Sequence, residues 1–364
     1  MKYLEEFRSP ELVKEYLAEI HAVVTKPWNI MEICGGQTHS LVKNGILDLL
    51  PDEINMIHGP GCPVCVTPLA LIDEAIYLAE KENVILCSFG DMLRVPGSEK
   101  SLLEAKAGGA EIRIVYSPLD AVKLAKENPD REVVFFAVGF ETTAPPNSLS
   151  VIQAQAMNLK NYSILTSHVL VPPALEAIFA DPESEVDGIL AAGHVCAIMG
   201  TDEYGPIVEK YKRPVVITGF EPVDLLHGIM VLVKQLEAGK YKLDNAYKRV
   251  VKKEGTPSAK NIIFKVFEIS DRDWRGIGTI PSSGYELKSE FESFDAHKKF
   301  KVEINQVKEP EECIAGTILK GIRKPNECPE FGKKCTPEHP LGAPMVSSEG
   351  ACAAYFHIFD FEII

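Results

Sequence analysis

The sequence predicts an α/β protein with two parallel-sheet βα domains that face a shared cleft, plus a loop-rich C-terminal domain. Short β-branched and apolar runs alternate with helical stretches between residues 28 and 238, as in parallel βα units. The alternation stops near Gly239, and glycine and proline punctuate the chain from about Ile277. A chain of 364 residues also exceeds what one hydrophobic core usually supports. We expect an N-terminal helix (1–25), a first α/β domain with Cys34 and the CxxC loop (26–130), a second α/β domain (131–239) and a C-terminal domain (240–364).

The elements follow from local patterns. Ser9 is a candidate N-cap before Pro10, and apolar residues then recur at helical spacing, so an amphipathic helix should pack on the first sheet or on the last domain. Strands are predicted at Asn29–Ile33, Ile54–Ile57, Val84–Cys87, Ile112–Tyr116, Val133–Val138, Ser163–Thr166, Gly188–Ala192 and Val215–Thr218. Beyond Gly239 we expect a charged helix over Lys240–Glu254 and a strand over Asn261–Ile269.

Composition restricts the classes of partner. A formal charge of −14, from 38 basic and 52 acidic residues, disfavours nucleic acid and anionic membranes. No apolar run approaches the ~18 residues that span a bilayer, and the N-terminus lacks an apolar signal segment. We therefore expect a cytoplasmic protein, in which nine cysteines favour metal binding or redox chemistry over structural disulfides.

The stretch from Gly59 to Pro68, GPGCPVCVTP, carries Cys62 and Cys65 in a CxxC pair, and we expect a rigid exposed loop. Such a pair can close a small disulfide, form half of a metal site or shuttle two electrons. One reading is a structural metal site completed by Cys34 with His39 or His58. A redox dithiol is favoured, because a closed metal site leaves the glycine-rich approach unexplained.

Cys34 follows a predicted strand and precedes Gly35 and Gly36, whose backbone can approach a ligand closely. It could be an iron ligand, or a nucleophile with His39 as its base, as in cysteine hydrolases. We assign Gly35, Gly36 and Thr38 to cofactor binding.

Other candidates lie at predicted strand ends and in loops. Ligands of open parallel sheets bind beyond the carboxyl ends of the strands, which places the loops of Asp91 and His194 in the cleft. Glu349 lies in a C-terminal turn and is also assigned to the site. The triplet Gly-Phe-Glu occurs at 139–141 and 219–221, either because both turns need glycine or because the structure repeats. Cys87 and Cys196 have apolar surroundings and are interpreted as packing residues.

Four further cysteines are spaced as Cx14Cx6Cx16C in a segment rich in proline and glycine turns: Cys313, Cys328, Cys335 and Cys352. Turns of this kind can bring four thiolates around one centre. An iron-sulfur cluster is favoured over structural zinc, because the CxxC knuckles usual in zinc ribbons are absent from this segment.

Several long stretches, in order, resemble one family nearly from end to end. They are CGGQTH from Cys34, the GPGCPVCVTP loop, CSFGDMLRVPGS from Cys87, GFETTAP from Gly139 and MVSSEGAC from Met345. This set is similar to the HypD family of nickel-iron hydrogenase maturation proteins.

The resemblance implies a scaffold on which the hydrogenase iron centre, with its cyanide and carbon monoxide ligands, is assembled. Cys34 would hold the iron jointly with the small chaperone HypC, and HypE would deliver cyanide. The four C-terminal cysteines would bind a 4Fe-4S cluster, and Cys62 with Cys65 would relay electrons from it to the iron centre. A cleft that admits two partner proteins favours a monomer in transient complexes.

Two functions from other classes stay open at this point. A general thiol-disulfide oxidoreductase needs only Cys62 and Cys65. A cysteine hydrolase needs only Cys34 and His39, and predicts a covalent acyl intermediate on Cys34.

Overall fold

The computed structural model describes residues 6–302, 307 and 309–359. Within those residues the strands are β1 Trp28–Glu32, β2 Ile54–His58, β3 Val84–Ser88, β4 Ile112–Ile114, β5 Glu132–Gly139, β6 Tyr162–His168, β7 Gly188–Ala192, β8 Val215–Thr218, β9 Leu243–Asn245, β10 Phe267–Trp274 and β11 Gly278–Leu287. The helices are α1 Pro10–Val23, α2 Gly35–Lys43, α3 Pro63–Val66, α4 Leu69–Ala79, α5 Leu102–Ala107, α6 Pro118–Glu127, α7 Ala144–Ala156, α8 Val171–Ala180, α9 Gly193–Met199, α10 Tyr204–Tyr211, α11 Pro222–Glu237, α12 Pro257–Val266, α13 Ala296–Phe300, α14 Ala315–Leu319 and α15 Ala351–Phe359.

Two parallel sheets confirm the predicted α/β class. The first sheet has the order β2-β1-β7-β8-β9 and the second has the order β4-β3-β5-β6. Every pairing within these sheets is parallel, and β10 and β11 form a separate antiparallel hairpin. All eight strands predicted from the sequence are present, with ends shifted by at most two residues.

The chain crosses between the sheets twice. It starts the first sheet with β1 and β2, builds the second sheet from β3 to β6, and returns to the first sheet with β7 to β9. The boundaries predicted at residues 130 and 239 therefore do not coincide with the sheets. Consecutive strands usually lie side by side, but here β1 pairs with β7 although more than 150 residues separate them, and their apolar side chains share one core.

Two predictions in the 240–270 region are wrong. Lys240–Glu254 is not a helix, because Leu243–Asn245 extends the edge of the first sheet and turns follow. Asn261–Ile269 is not one strand, because α12 ends at Val266 and β10 begins at Phe267. Ile263 and Val266 are three residues apart and both are buried, so a helix places them on one face. This burial outweighs the preference of their β-branched side chains for strands.

The hairpin of β10 and β11 packs against the second sheet. Phe267, Tyr285 and Leu287 share a core with Phe135 and Tyr162 of the second sheet. We expected a loop-rich C-terminal domain. Within it, the loop-rich part begins only after the hairpin and α13.

The N-terminal helix packs on the first sheet. Ser9 accepts a hydrogen bond from the Leu12 amide at 3.4 Å, and Pro10 occupies the first helical position, as predicted. Ile20 is fully buried in a core that includes Ile30 of β1 and apolar side chains of α11.

Each Gly-Phe-Glu triplet begins at the end of a strand and leads into a helix, one in each sheet. A Cβ at Gly139 would overlap Thr143, and a Cβ at Gly219 would overlap Asp224, so both turns need glycine. Glu141 is 1% exposed; one of its oxygens accepts from the Val171 amide at 2.9 Å, and burial raises the pKa of its carboxyl to about 8.

Glu141→Gln should change how stability depends on pH. The folded pKa of Glu141 lies above its usual 4.5, so its stabilising contribution is complete below pH 4.5 and is lost as pH rises through about 8. Glutamine keeps the shape without titrating. The free energy of unfolding of E141Q, relative to that of the wild type, should therefore rise by on the order of 1 kcal/mol per pH unit between pH 5 and 8. Urea unfolding at several pH values measures this gain, with E221Q at the second triplet as the matched control. Parallel curves for the wild type and E141Q would contradict a buried titrating Glu141.

Candidate functional site

Cys34 lies where three neighbouring strands of the first sheet end. It follows β1 and is the residue before α2, and it is 4% exposed. Its Sγ lies 3.6 Å from Nε2 of His194, which follows β7. The His194 ring stacks on Phe220, which follows β8, with 4.9 Å between ring centroids. The strand ends thus place a thiol, an imidazole and an aromatic ring in one row, as the strand-end argument predicts for His194.

The Cys34 and His194 pair is neutral at physiological pH. Burial, and next the charge of Glu32, raise the pKa of the Cys34 thiol to about 12. Burial also lowers the pKa of His194 to about 4. A cysteine hydrolase needs a thiolate beside an imidazolium, so this pair lacks the activated nucleophile. His39, the base suggested by the sequence, is exposed on α2, and the imidazole in contact with Cys34 belongs to His194.

Glu32, which the sequence reasoning missed, anchors the Cys34 loop. Its carboxylate is fully buried, accepts a hydrogen bond from the Cys34 amide at 2.9 Å and another from the Thr38 hydroxyl. It also contacts Nδ1 of His58, at the end of β2, at 2.7 Å. Thr38 therefore supports the loop through Glu32. The available signal was a carboxylate inside an apolar strand two residues before Cys34.

The CxxC loop is buried, contrary to the exposed loop that we expected. Cys62 and Cys65 form a disulfide, with 5.2 Å between their Cα atoms, and are 3% and 1% exposed. The short helix at Ala343–Met345 packs on α3, and the Arg275 amide donates to the Val66 carbonyl at 2.9 Å. These two later segments cover the loop, which local sequence could not show.

The CxxC loop also contacts the Cys34 loop through backbone. The Gly35 amide donates to the Gly61 carbonyl at 3.2 Å. A Cβ at Gly61 would overlap the Ile33 carbonyl and the Cys34 Cα. A metal site shared by Cys34, the CxxC pair and His58 does not match this geometry, because the two sulfurs are bonded to each other and His58 pairs with Glu32.

The C-terminal segment contacts both the loop after β3 of the second sheet and the Cys34 loop. Asp91, which follows β3, accepts a hydrogen bond from the Ser347 hydroxyl at 2.9 Å. Glu349 lies directly over Gly35, where any Cβ would overlap it. Burial, and next the charge of Asp91, raise the pKa of the Glu349 carboxyl. Gly36 is less constrained, since a Cβ there would make ordinary contact with Phe220 and with the Cys34 Sγ at 3.7 Å.

The four C-terminal cysteines line one pocket: Cys313, Cys328, Cys335 and Cys352. The Leu341 amide donates to the Cys335 Sγ at 3.4 Å. Burial, and then the charges of the other three thiols, raise the pKa of Cys352. Within the described residues, no three His, Cys, Asp or Glu side chains are arranged to hold one metal ion.

The cysteine pocket adjoins the Cys34 region. Cys352 lies at the start of α15, which packs against α2 directly after Cys34, and Tyr355 of α15 contacts the His58 ring edge to face at 5.3 Å. Cys87 and Cys196 are fully buried in apolar cores. Among the helices of the described chain, none has the length and hydropathy to cross a bilayer.

Comparison with known proteins decides the family. The HypD family model, described as the hydrogenase formation hypA family, matches residues 11–359. The chain belongs to the HypD family. It is 46% identical to the hydrogenase maturation factor HypD of Azotobacter vinelandii, over 98% of this chain and 96% of that protein. It is 44% identical to the HypD of Escherichia coli strain K12, over 98% of both chains, and 43% identical to that of Cupriavidus necator, over 100% of this chain and 99% of the relative.

Gly61→Ala should destabilise the protein, because the added methyl meets backbone atoms that cannot rotate away. The expected loss in free energy of unfolding is about 2 to 3 kcal/mol, measured by urea denaturation. Gly205→Ala in α10 is the matched control, because nothing lies within 4 Å of its added Cβ. That variant should be neutral or gain up to about 1 kcal/mol from helix propensity. Equal stability of the two variants would show that Gly61 and Cys34 are not in close backbone contact.

Proposed function

We propose that this protein is a hydrogenase maturation factor that serves as the scaffold for assembling the iron centre with its cyanide and carbon monoxide ligands. One observation carries the proposal: the Cys34 thiol, beside His194, adjoins the CxxC loop on one side and Glu349 of the cysteine-rich segment on another. The names of the HypD relatives, which are hydrogenase maturation factors, support the same role. We place this work in the cytoplasm, in agreement with the cysteine content.

Iron is the cargo in this proposal, and Cys34 supplies a soft ligand for it. A thiol must lose its proton before it can bind metal, and the proton of Cys34 is held firmly at neutral pH. Iron binding displaces that proton to solvent, and the His194 imidazole, 3.6 Å from the Cys34 Sγ, stays neutral beside the site. Gly36, His194 and Phe220 are only partly buried, so the iron keeps an open side for incoming ligands.

Partner proteins approach from that open side in the proposal. A HypC-type chaperone contributes a second thiolate to the iron, and a HypE-type protein delivers the cyanide groups. His39 is exposed on the same helix as Gly36 and is available to such a partner. Glu349 adds negative charge beside Cys34, which favours a cation there, and Asp91 lies within electrostatic reach of Glu349.

The C-terminal cysteines suit a 4Fe-4S cluster. Four thiols line one pocket, and backbone amides around Leu341 and Ala315 donate to Cys335 and Cys313, as is common around cluster sulfurs. Such a cluster has a thiolate on each of four irons, so the cysteines need not converge on one ion. When bound, it would supply single electrons. Cys62 and Cys65 relay electrons towards the iron centre by interconverting a disulfide and a dithiol, which takes up two electrons and two protons.

The alternative functions fit the geometry less well. Exchange with general disulfide substrates needs an accessible sulfur, whereas Cys62 and Cys65 are covered by later segments of the chain. The hydrolase reading needs an activated Cys34 with His39 as base, and the structure offers a neutral thiol beside His194.

The Cys62→Ser variant tests the electron relay. Anaerobically purified wild type and C62S should both contain about four irons and about four sulfides per chain, with an absorption band that bleaches on reduction. C62S should nevertheless assemble no iron centre with its diatomic ligands, because it cannot cycle between disulfide and dithiol.

Cys87→Ser is the matched control, since it removes a buried thiol from β3 without touching the CxxC loop. It should assemble the centre at the wild-type yield. An unchanged yield in C62S would refute the relay, and zinc without sulfide in the wild type would refute the cluster.

A further inference from the structure

Arg275 lies between the CxxC loop and the C-terminal cysteines. It follows β10 in the turn of the hairpin and is 6% exposed. Its backbone amide donates to the carbonyl of Val66, the residue after Cys65, at 2.9 Å. The next residue, Gly276, has a φ of +73° and packs so closely on Gly316 of α14 that a Cβ at Gly316 would overlap its carbonyl. The hairpin turn is thus fixed to the CxxC loop at one point and to the helix after Cys313 at another.

The guanidinium of Arg275 is placed for an electrostatic role. Nε and Nη2 contact the Glu309 carboxylate at 3.0 and 2.9 Å. Nη1 is buried and has no hydrogen-bond partner within the described residues. The Ala315 amide, next to Gly316, donates to the Cys313 Sγ, so the hairpin turn that carries Arg275 packs beside a cysteine of the cluster site.

We propose that Arg275, held in a turn that packs on the helix after Cys313, raises the reduction potential of the cluster site through its buried positive charge. This inference rests on the proposed function, because it assumes that the four cysteines hold a cluster. Nothing in the established family membership assigns a role to Arg275.

The physical reason is the charge balance of the site. Four thiolates make a cluster strongly anionic, and each added electron increases that charge. A buried cation stabilises the reduced form more than the oxidised form, because charges interact strongly where water is excluded. Glu309 is more exposed, at 36%, so solvent weakens its opposing effect.

Three substitutions distinguish this role from general support of the fold. Arg275→Met should lower the midpoint potential of the cluster in the full-length protein, with about a tenfold change in the equilibrium, or about 59 mV for a one-electron couple. Arg275→Lys keeps the charge and should lie closer to the wild type. Glu309→Gln should shift the potential in the opposite direction, by a smaller amount, because it leaves Arg275 unopposed.

The matched control is Arg213→Met. Arg213 is also partly buried, its Nη1 has no hydrogen-bond partner among the described residues, and it donates to the Ser184 carbonyl at 3.5 Å. It does not line the pocket of the four cysteines. This variant should keep the wild-type potential. Redox titration by absorbance, after iron and sulfide have been counted, gives each potential without any assay of hydrogenase maturation.

The outcomes separate the two proposals. A wild-type protein without iron and sulfide would overturn the cluster of the proposed function. A wild-type cluster whose potential is unchanged in an iron-replete R275M would overturn the role of Arg275 alone. If R275M fails to fold, E309Q decides the question, and a potential that does not rise would overturn the inference.

Discussion

The buried carboxylate of Glu32 is the constraint on which the Cys34 site depends. It joins the Cys34 amide, the Thr38 hydroxyl and the His58 ring, and so fixes the ends of β1 and β2 together with the first turn of α2. A carboxylate in the interior is costly unless every oxygen is paired, and removal of one partner leaves an uncompensated charge. The site is therefore cooperative: Thr38 and His58 support Cys34 through Glu32 without touching the thiol.

The C-terminal segment contacts the Asp91 loop of the second sheet and the Cys34 loop of the first sheet. Ser347 binds Asp91 of the second sheet, Glu349 lies over Gly35 beside Cys34, and α15 packs on α2. The cysteine pocket thereby reaches both the Cys34 loop and the buried CxxC loop. Under the proposed function, this arrangement would keep a cluster close to Cys34 while the side of Cys34 near Phe220 stays accessible.

Local sequence predicted the strands well and their partners poorly. Each of the strands up to Val215–Thr218 has a short run of apolar and β-branched residues with clear ends, so the local pattern is sufficient. Sheet membership depends on which distant apolar faces meet, and the return of the chain to β1 at β7 has no local signal. The charged run after Gly239 looked helical because its charges mask the short edge strand at Leu243–Asn245.

The sequence identified most residues of the candidate site, but it did not predict which of them are in contact. The strand-end argument placed His194 near Cys34, but adjacency in sequence suggested His39 as the base. The burial of Cys62 and Cys65 depends on Arg275 and on Ala343–Met345, which lie more than 200 residues later in the chain. Glu32 was overlooked because a glutamate in a predicted strand normally faces solvent. Its burial becomes clear only when its three partners are known.

Infrared spectroscopy tests the scaffold claim most directly. The protein would be isolated anaerobically from cells that mature hydrogenase, as the wild type and as Cys34→Ala, with Cys196→Ala as a control for loss of another buried thiol. Stretching bands of metal-bound cyanide and carbon monoxide should appear in the wild type and in the control and be absent from C34A. Bands of equal intensity in C34A would contradict the claim that Cys34 holds the iron.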